Sequence, residues 1–116
     1  MKRGDIVLLA FPFSNGVGVK VRPALIVQAD RNNRRLTNTI VAMITTSVRA
    51  ASEPTQMNIA LDSDSGQASG LLHDSVVKCQ NLFTIEQALI QKVIGHLPKT
   101  AMRQVDRCLR SALELR

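Results

Sequence analysis

Tyrosine and tryptophan are absent from this chain of 116 residues, and phenylalanine occurs only three times. Proteins that bind single-stranded nucleic acid through RRM or OB domains stack bases on aromatic side chains. A chain with three rings can hardly build such a platform, and we expect Phe11, Phe13 and Phe83 to be core residues. Any binding of nucleic acid has to rely on charge, backbone groups and hydrogen bonds.

Cysteine is almost as scarce, since the chain holds only Cys79 and Cys108. Two thiols are too few for a disulfide scaffold, and they lie in apolar surroundings without CxxC spacing. Together with His73 and His96 they do not have the spacing of a zinc site. We therefore predict two reduced, buried cysteines, two histidines in structural or surface positions, no bound metal and no cofactor.

Long apolar runs and nucleotide-binding motifs are missing as well. The apolar run Ile6 to Phe11 follows Lys2 and Arg3, but it is too short for a signal peptide and Asp5 interrupts the pattern. No stretch approaches the roughly 20 residues of a membrane span. GxxxxGK[ST], GxGxxG and HExxH motifs are absent, and so is a close carboxylate pair. These absences predict a cytoplasmic protein that contacts no membrane, and metal-free chemistry if the protein is a hydrolase.

Acidic residues are scarce in the first 50 positions, which hold two of them against eight basic residues. The remainder of the chain holds seven of each, so the net charge of +6 comes entirely from the first part. Such an asymmetry indicates a surface that binds a polyanion. The candidates are a nucleic acid, an acidic protein partner, or a solvated basic face without a ligand.

Length and a hydrophobic content of 45% predict one compact domain over residues 1–116. The predicted strands are Ile6–Phe11, Ala24–Gln28, Asn38–Thr46, Gln56–Leu61 and Ser75–Leu82, and Lys92–Leu97 is a sixth strand or an irregular extension of the sheet. Residues 14–20 and 62–70 are predicted loops, and 30–38 a turn or a short helix. Apolar residues at three- and four-residue spacing predict a helix from Pro98 to Leu113. Five or six short strands before one helix indicate an α+β domain with a strongly curved, barrel-like sheet.

Two segments carry side chains suited to phosphate. Arg22 precedes Pro23, which keeps it extended, and a guanidinium held there can form paired hydrogen bonds to a phosphate. The alternative is a solvated arginine at a sheet edge. Thr45, Thr46 and Ser47 end the third strand, where their hydroxyls can bind a phosphoryl oxygen or cap a turn.

The fifth predicted strand offers a second polar set. Asp74, Lys78 and Gln80 are spaced by even numbers and share one face, with Val77 and Cys79 on the other. This polar face lines a groove or simply faces solvent.

Several segments resemble the MazF/PemK (Kid-like) family of toxins, in the family's order and over nearly the whole chain. The Arg-Pro-Ala-Leu-Ile-Val element followed about twenty residues later by Ile-Thr-Thr is fairly specific. The matching segments are Gly4-Asp5-Ile6-Val7, Phe11-Pro12-Phe13, Arg22-Pro23-Ala24-Leu25-Ile26-Val27, Ile44-Thr45-Thr46-Ser47, Asp74-Ser75-Val76-Val77 with Thr84-Ile85, and Val105-Asp106 through Leu113.

The resemblance implies a CcdB/MazF-like fold, an SH3-like β-barrel of five to six strands with a C-terminal helix, working as a homodimer. It also implies a sequence-specific, metal-independent endoribonuclease that cleaves single-stranded messenger RNA. Family members are toxins inhibited by a cognate acidic antitoxin whose disordered tail occupies the RNA groove. The chain departs from the family at two places. Its first loop lacks an acid or a histidine, and Lys78 and Gln80 stand where the Kid-like branch has an arginine and an aspartate.

Motif matching implies that Arg22 and Thr45 are catalytic. The expected reaction is attack of a ribose 2′-hydroxyl on the neighbouring phosphate. Arg22 would stabilise the phosphorane and is a candidate proton donor, Thr45 would donate a second hydrogen bond, and Asp74 or a bound water would be the base. The expected substrate-binding residues are Lys20, Thr46, Ser47, Arg49, Lys78 and Gln80.

Two other functions fit the same barrel. A CcdB-type toxin binds and poisons DNA gyrase without cutting nucleic acid. A nucleic-acid-binding regulator keeps the barrel and lacks cleavage activity.

Overall fold

The computed structural model describes residues 1–12, 18–46 and 53–116. The predicted contacts Ser47 and Arg49, the ring Phe13 and most of the predicted loop 14–20 lie outside these ranges. The elements, in chain order, are β1 (Asp5–Pro12), β2 (Val19–Ile26), α1 (Asp30–Arg35), β3 (Asn38–Thr46), β4 (Gln56–Ile59), α2 (Asp64–Ser69), β5 (Ser75–Glu86), a 3₁₀ helix (Gln87–Leu89), β6 (Ile90–His96) and α3 (Lys99–Leu113).

The six strands form one antiparallel sheet in the order β4-β5-β3-β2-β1-β6. Four strand-to-strand steps separate β5 from β6, a distance of about 19 Å in a flat sheet. Only the 3₁₀ helix joins Glu86 to Ile90, and four residue steps span at most about 14 Å. The sheet is therefore strongly curved. The predicted α+β arrangement of strands followed by a C-terminal helix is confirmed.

Apolar side chains cover both faces of the sheet, because neighbouring residues of a strand point to opposite sides. Ile6 belongs to a helix-side cluster with Val77 and Val105 of α3. Val7, the next residue, belongs to an opposite cluster with Ile26. Burial on both faces explains why β1 is a continuous apolar run in the sequence and not an alternating one.

The C-terminal helix packs where its apolar stripe predicts. Ala101, Val105 and Cys108 are buried against the sheet. Arg3 ties this helix to the N-terminus, since its guanidinium lies 2.6 Å from the Asp106 carboxylate and its Nε donates to the Val27 carbonyl at 2.8 Å. One of the basic residues in the first part of the chain thus has a structural role.

Residues 62–70 are not the loop that their composition suggests, because they contain α2. The Ser63 hydroxyl accepts the Gly66 N–H at 3.0 Å and so caps the helix N-terminus. Gly70 ends the helix in the left-handed conformation, with φ 73°. Serine and glycine here are cap residues, and the prediction of a loop was wrong.

The end of α2 lies directly on β6. A Cβ at Gly70 would be 2.1 Å from the Ile94 carbonyl oxygen, and one at Gly95 would be 2.3 Å from the carbonyl carbon of Ser69. Both distances are far inside van der Waals contact, so only glycine allows this approach. The contact fixes the chain segment that runs from α2 into β5.

Several strand boundaries differ from the prediction. β2 begins at Val19 and contains Pro23, which pairs with Leu8 of β1. Proline is tolerated there because the pairing of β2 with β3 starts only at Ala24, which leaves the β3 side of Pro23 an open edge. The other shifts are β4 at Gln56–Ile59, β5 extending to Glu86, and β6 at Ile90–His96.

Both cysteines are free and buried in the helix-side cluster, as predicted. Burial, reinforced by the adjacent Cys108 thiol, raises the pKa of Cys79 to about 12. Burial also raises the pKa of Cys108. Among the helices that the structure describes, none is long and apolar enough to cross a membrane.

Candidate active site

A pocket of about 350 Å³ opens where β2 and β3 separate. The two strands pair from Ile26–Val41 to Ala24–Met43, and the observed pairing stops there. Beyond that point Arg22 and Pro23 of β2 and Ile44 and Thr45 of β3 line the pocket. Consecutive residues of each strand can reach one cavity because the strands have moved apart.

Local structure determines how Arg22 is presented. It precedes Pro23 and is therefore extended, it pairs with Leu9 of β1, and it is half-buried. Side chains alternate along a strand, so Arg22 shares a face with Ala24, and Thr45 shares a face with Met43. Because Ala24 pairs with Met43, Arg22 and Thr45 belong to the same face of the sheet.

The opposite side of β3 is held by β5. Thr45 pairs with Val76 and Thr46 with Ser75. This pairing keeps the hydroxyl-bearing end of β3 in place while β2 diverges from it. Thr45 and Thr46 are therefore held at the end of β3 that borders the pocket.

The pocket wall combines cations and hydroxyls with an apolar lining. Its polar members are Lys20, Arg22, Thr45, Thr46, His73 and Ser75, and its apolar members are Leu8, Val21, Pro23, Ile44, Leu71, Leu72 and Ile94, with Gly70. No aspartate or glutamate is among these lining residues. A guanidinium, an ammonium and several hydroxyls without a carboxylate suit a phosphate group.

Four predicted site residues are brought together in this wall: Lys20, Arg22, Thr45 and Thr46. They come from two strands, and the residues of β2 lie more than twenty positions before the residues of β3 in the sequence. These four residues were predicted from the sequence, but the cavity that they line together was not.

Asp74 does not line the pocket. Its carboxylate accepts the backbone N–H of Leu61 at 2.7 Å and so joins the chain after β4 to the chain before β5. The expectation that Asp74 is the base is therefore not supported by its position. The carboxylate holds the backbone of this segment.

Lys78 and Gln80 are also outside the pocket wall. Ala42 of β3 pairs with Leu82 of β5, but the next residue, Met43, pairs with Lys78. Residues 79–81 of β5 therefore have no paired residue on β3. Asp74, for its part, precedes the strand. The predicted alternation holds along β5 as far as Gln80, since Val77 and Cys79 are both buried in the helix-side cluster, whereas Lys78 is half-buried and Gln80 is exposed.

Two polar pocket residues were not predicted as site residues, namely His73 and Ser75. The Ser75 hydroxyl donates to the His73 carbonyl at 2.8 Å, and both residues line the pocket while Asp74 between them does not. His73 was expected in a structural or surface position. The signal that could have identified it is the alternation of side chains around Ser75, at the start of β5.

No group of three or more His, Cys, Asp or Glu side chains that could hold a metal ion occurs in the described ranges 1–12, 18–46 and 53–116. His73 and the cysteines lie in different parts of the fold, since the cysteines belong to the helix-side cluster and His73 belongs to the pocket wall. The polar groups that the described pocket wall offers are cations, hydroxyls and an imidazole.

Comparisons with known proteins assign a family to this arrangement. The family model described as "PemK-like, MazF-like toxin of type II toxin-antitoxin system" matches residues 2–113. Endoribonuclease EndoA of Bacillus subtilis is 32% identical over 116 residues, which cover 99% of this chain and 96% of that protein. Endoribonuclease MazF6 of Mycobacterium tuberculosis is 33% identical over 105 residues, covering 90% of this chain and 88% of that one.

Solved structures share the fold. The Mycobacterium tuberculosis toxin MazF-mt6 has a TM-score of 0.72 at 27% identity, covering 95% of this chain and 98% of that chain. A mycobacterial endoribonuclease in complex with its cognate antitoxin has a TM-score of 0.76 at 22% identity, covering 100% and 97%. A MazE–MazF structure from Deinococcus radiodurans has a TM-score of 0.75 at 17% identity, covering 100% and 98%.

Proposed function

The chain belongs to the PemK-like, MazF-like toxins of type II toxin–antitoxin systems, and from this premise we propose that it is a sequence-specific, metal-independent endoribonuclease acting on single-stranded messenger RNA. The observation that carries the activity is the match to endoribonucleases along nearly the whole chain. The joint presence of Arg22 and Thr45 in one pocket supports this cavity as the site.

The reaction proposed for this pocket is an internal transfer at phosphorus. The ribose 2′-oxygen attacks the neighbouring phosphate, the bond from phosphorus to the 5′-oxygen breaks, and the products are a 2′,3′-cyclic phosphate and a 5′-hydroxyl. Negative charge increases on the phosphoryl oxygens in the transition state, so fixed donors lower the barrier. Arg22 binds these oxygens through its guanidinium, and Thr45 donates a second hydrogen bond.

The flanking residues bind the rest of the RNA in this proposal. Lys20 and Thr46 share the pocket with Arg22 and contact the phosphates on either side of the cleaved bond. Ser47, Arg49, Lys78 and Gln80 are proposed contacts for nucleotides farther along the strand. The absence of tyrosine and tryptophan means that these contacts are ionic and hydrogen-bonded.

An acidic antitoxin is the second proposed partner. The mycobacterial relative of the same fold was solved in complex with its cognate antitoxin, and the Deinococcus radiodurans structure contains MazE with MazF. The net charge of +6 on this chain and the cations Lys20 and Arg22 in the pocket favour an acidic segment there. RNA and antitoxin would then compete for one site.

A closed SH3-like barrel and a homodimer complete the proposal. The curvature that brings the end of β5 near the start of β6 supports the barrel, and α2 lies on β6. Leu113 and Leu115 are exposed at the C-terminal end, which supports an apolar contact with a second copy. The cytoplasmic location remains a prediction from the sequence.

End mapping of a digested RNA tests the activity. The purified protein is incubated with a long single-stranded RNA in EDTA, and the new termini are sequenced and chemically typed. We expect cleavage at one short recurrent sequence with cyclic phosphate ends, and no cleavage of the same sequence as DNA. Intact RNA, with or without a complex with DNA gyrase, would reject the endoribonuclease and support one of the two non-cleaving functions.

A further inference from the structure

The proposed reaction needs a proton acceptor that the catalytic pair does not supply. Arginine and lysine keep their protons far above neutral pH, with ordinary pKa values of about 12.5 or more and about 10.4. Threonine and serine hydroxyls do not accept protons readily. Histidine is the side-chain type that titrates between about pH 5 and 8, and His73 is the one histidine among the described residues that line the pocket.

The segment that carries His73 is anchored on both sides. Before it, Gly70 lies against the Ile94 backbone of β6. After it, the Asp74 carboxylate accepts the Leu61 N–H at 2.7 Å, and the Ser75 hydroxyl donates to the His73 carbonyl at 2.8 Å. These contacts fix the backbone and leave the imidazole exposed at the pocket.

Among the described residues that line the pocket, two besides His73 carry a charge or can carry one. Lys20 and Arg22 reach the pocket from β2, and the residues that β1, β3 and β6 contribute to the wall are uncharged. Asp74 is adjacent in sequence, and its carboxylate is engaged with Leu61. The cations bind the phosphate, and the imidazole is left as the group that exchanges a proton.

We propose that His73 is the catalytic base of this pocket, a role that rests on the proposed endoribonuclease function. A neutral imidazole nitrogen takes the proton of the 2′-hydroxyl as the 2′-oxygen bonds to phosphorus. The bond from phosphorus to the 5′-oxygen then breaks, and the departing 5′-oxygen receives a proton from water or from Arg22, which regains its proton from solvent. No oxidation or reduction occurs, and the imidazolium returns its proton to solvent.

The test compares His73→Gln with His96→Gln, since the chain has only these two histidines. His96 is exposed at the end of β6, opposite Asp5. We expect His73→Gln to lower kcat by about 10²- to 10⁴-fold, the usual range for general acid–base catalysis, and His96→Gln to leave it unchanged. Both variants are expected to bind a 2′-deoxy-substituted RNA as the wild type does, which shows that folding and binding are intact.

The pH profile provides a measurement that does not depend on any variant folding. Wild-type kcat is expected to fall at acidic pH, because a base that already carries a proton cannot accept the proton of the 2′-hydroxyl. The His73→Gln variant is expected to lose this acidic limb of the pH profile, and the His96→Gln variant is expected to keep it. A wild-type rate that is flat from pH 5 to 8 would overturn the proposal.

The failures of the two proposals are distinguishable. If the wild type leaves every RNA intact, the endoribonuclease function is rejected, and the assignment of His73 as its catalytic base is rejected as well. If the wild type cleaves and folded His73→Gln cleaves equally fast, only the base assignment is overturned. Loss of the acidic limb in Asp74→Asn, with the limb retained in His73→Gln, would transfer the role to Asp74.

Discussion

Arg22 and Thr45 line one pocket although the pairing of the strands that carry them ends earlier, at Ala24 and Met43. If the antiparallel pairing had continued beyond Ala24 and Met43, Arg22 and Thr45 would be directly paired residues of neighbouring strands. The separation of β2 from β3 instead leaves a cavity that is lined by Arg22 of β2 and by Thr45 of β3. The proposed catalytic role of the pocket depends on this separation of β2 from β3.

Replacement of Thr45 by valine tests the hydroxyl side of the pocket. The change keeps the branched shape and removes one donor to the developing negative charge, so we expect kcat to fall by about 10²-fold. Thr84→Val, on the exposed part of β5, is the matched control and should cleave normally. Steady-state cleavage of a short RNA measures both, and equal rates for the two variants would reject a role for Thr45.

Replacement of Asp30 by asparagine tests an acid that stabilises the fold. The backbone N–H of Arg3 donates to Asp30 Oδ1 at 2.6 Å, and this bond, with smaller effects of Asn33, Arg34 and Lys2, lowers the pKa of Asp30 against the opposing effect of burial. The folded state thus favours the carboxylate. We expect Asp30→Asn to reduce the free energy of unfolding by about 1 kcal/mol at pH 7, a value kept small because solvent still screens the half-buried carboxylate.

The sign of the pH dependence follows from the lowered pKa. The contribution of Asp30 is complete above the pKa of the unfolded chain, about 3.9, and is lost as the pH falls through the lower folded value. The difference between wild type and Asp30→Asn should therefore shrink from pH 7 to pH 3 in urea unfolding. Asp62→Asn, in an exposed position, should show no such trend, and a difference that stays constant with pH would contradict the assignment.

The buried thiols should be slow to react. Because the pKa of Cys79 is raised to about 12, about one molecule in 10⁴ carries the thiolate at pH 8, against about a quarter for an ordinary cysteine. We expect iodoacetamide to label Cys79 at least 10³-fold more slowly in the native protein than in urea, as followed by peptide mass spectrometry. Rapid native labelling would show that the thiol is accessible and ionised.

A methyl group at Gly95 should disturb the contact between α2 and β6. The added Cβ would lie 2.3 Å from the Ser69 carbonyl carbon and 2.4 Å from the Ala68 carbonyl oxygen, so backbone has to move. We expect Gly95→Ala to lower the free energy of unfolding by roughly 2 kcal/mol. Gln91→Ala, exposed on the same strand, is the control, and equal stability of the two variants would mean that α2 can shift without cost.

The fold was predictable where the sequence pattern is local. The stripe of α3 and the β-branched run of β3 identify their elements directly, because helix and strand periods differ. The sequence did not predict helix α2, because serine and glycine, here Ser63 and Gly70, are common both in loops and at the ends of helices. Its contact with Gly95, distant in sequence, favours the helix, and composition does not reveal such a contact.

The site was predictable in part for a similar reason. Arg22 and Thr45 lie in motifs that a family resemblance can identify one residue at a time. The choice between His73 and Asp74 depends on which side chain faces the cavity and which one binds Leu61. The sequence places both residues next to each other and cannot decide between them.

The most direct test of the account is the single-turnover cleavage rate of Arg22→Ala on a single-stranded RNA that the wild type cuts. Loss of the guanidinium removes the main stabilisation of the phosphorane, so we predict a rate at least 10²- to 10³-fold lower with unchanged thermal unfolding. Arg31→Ala, exposed on α1, should cleave like the wild type. A folded Arg22→Ala variant that cleaves at the wild-type rate would contradict the assignment of this pocket as the active site.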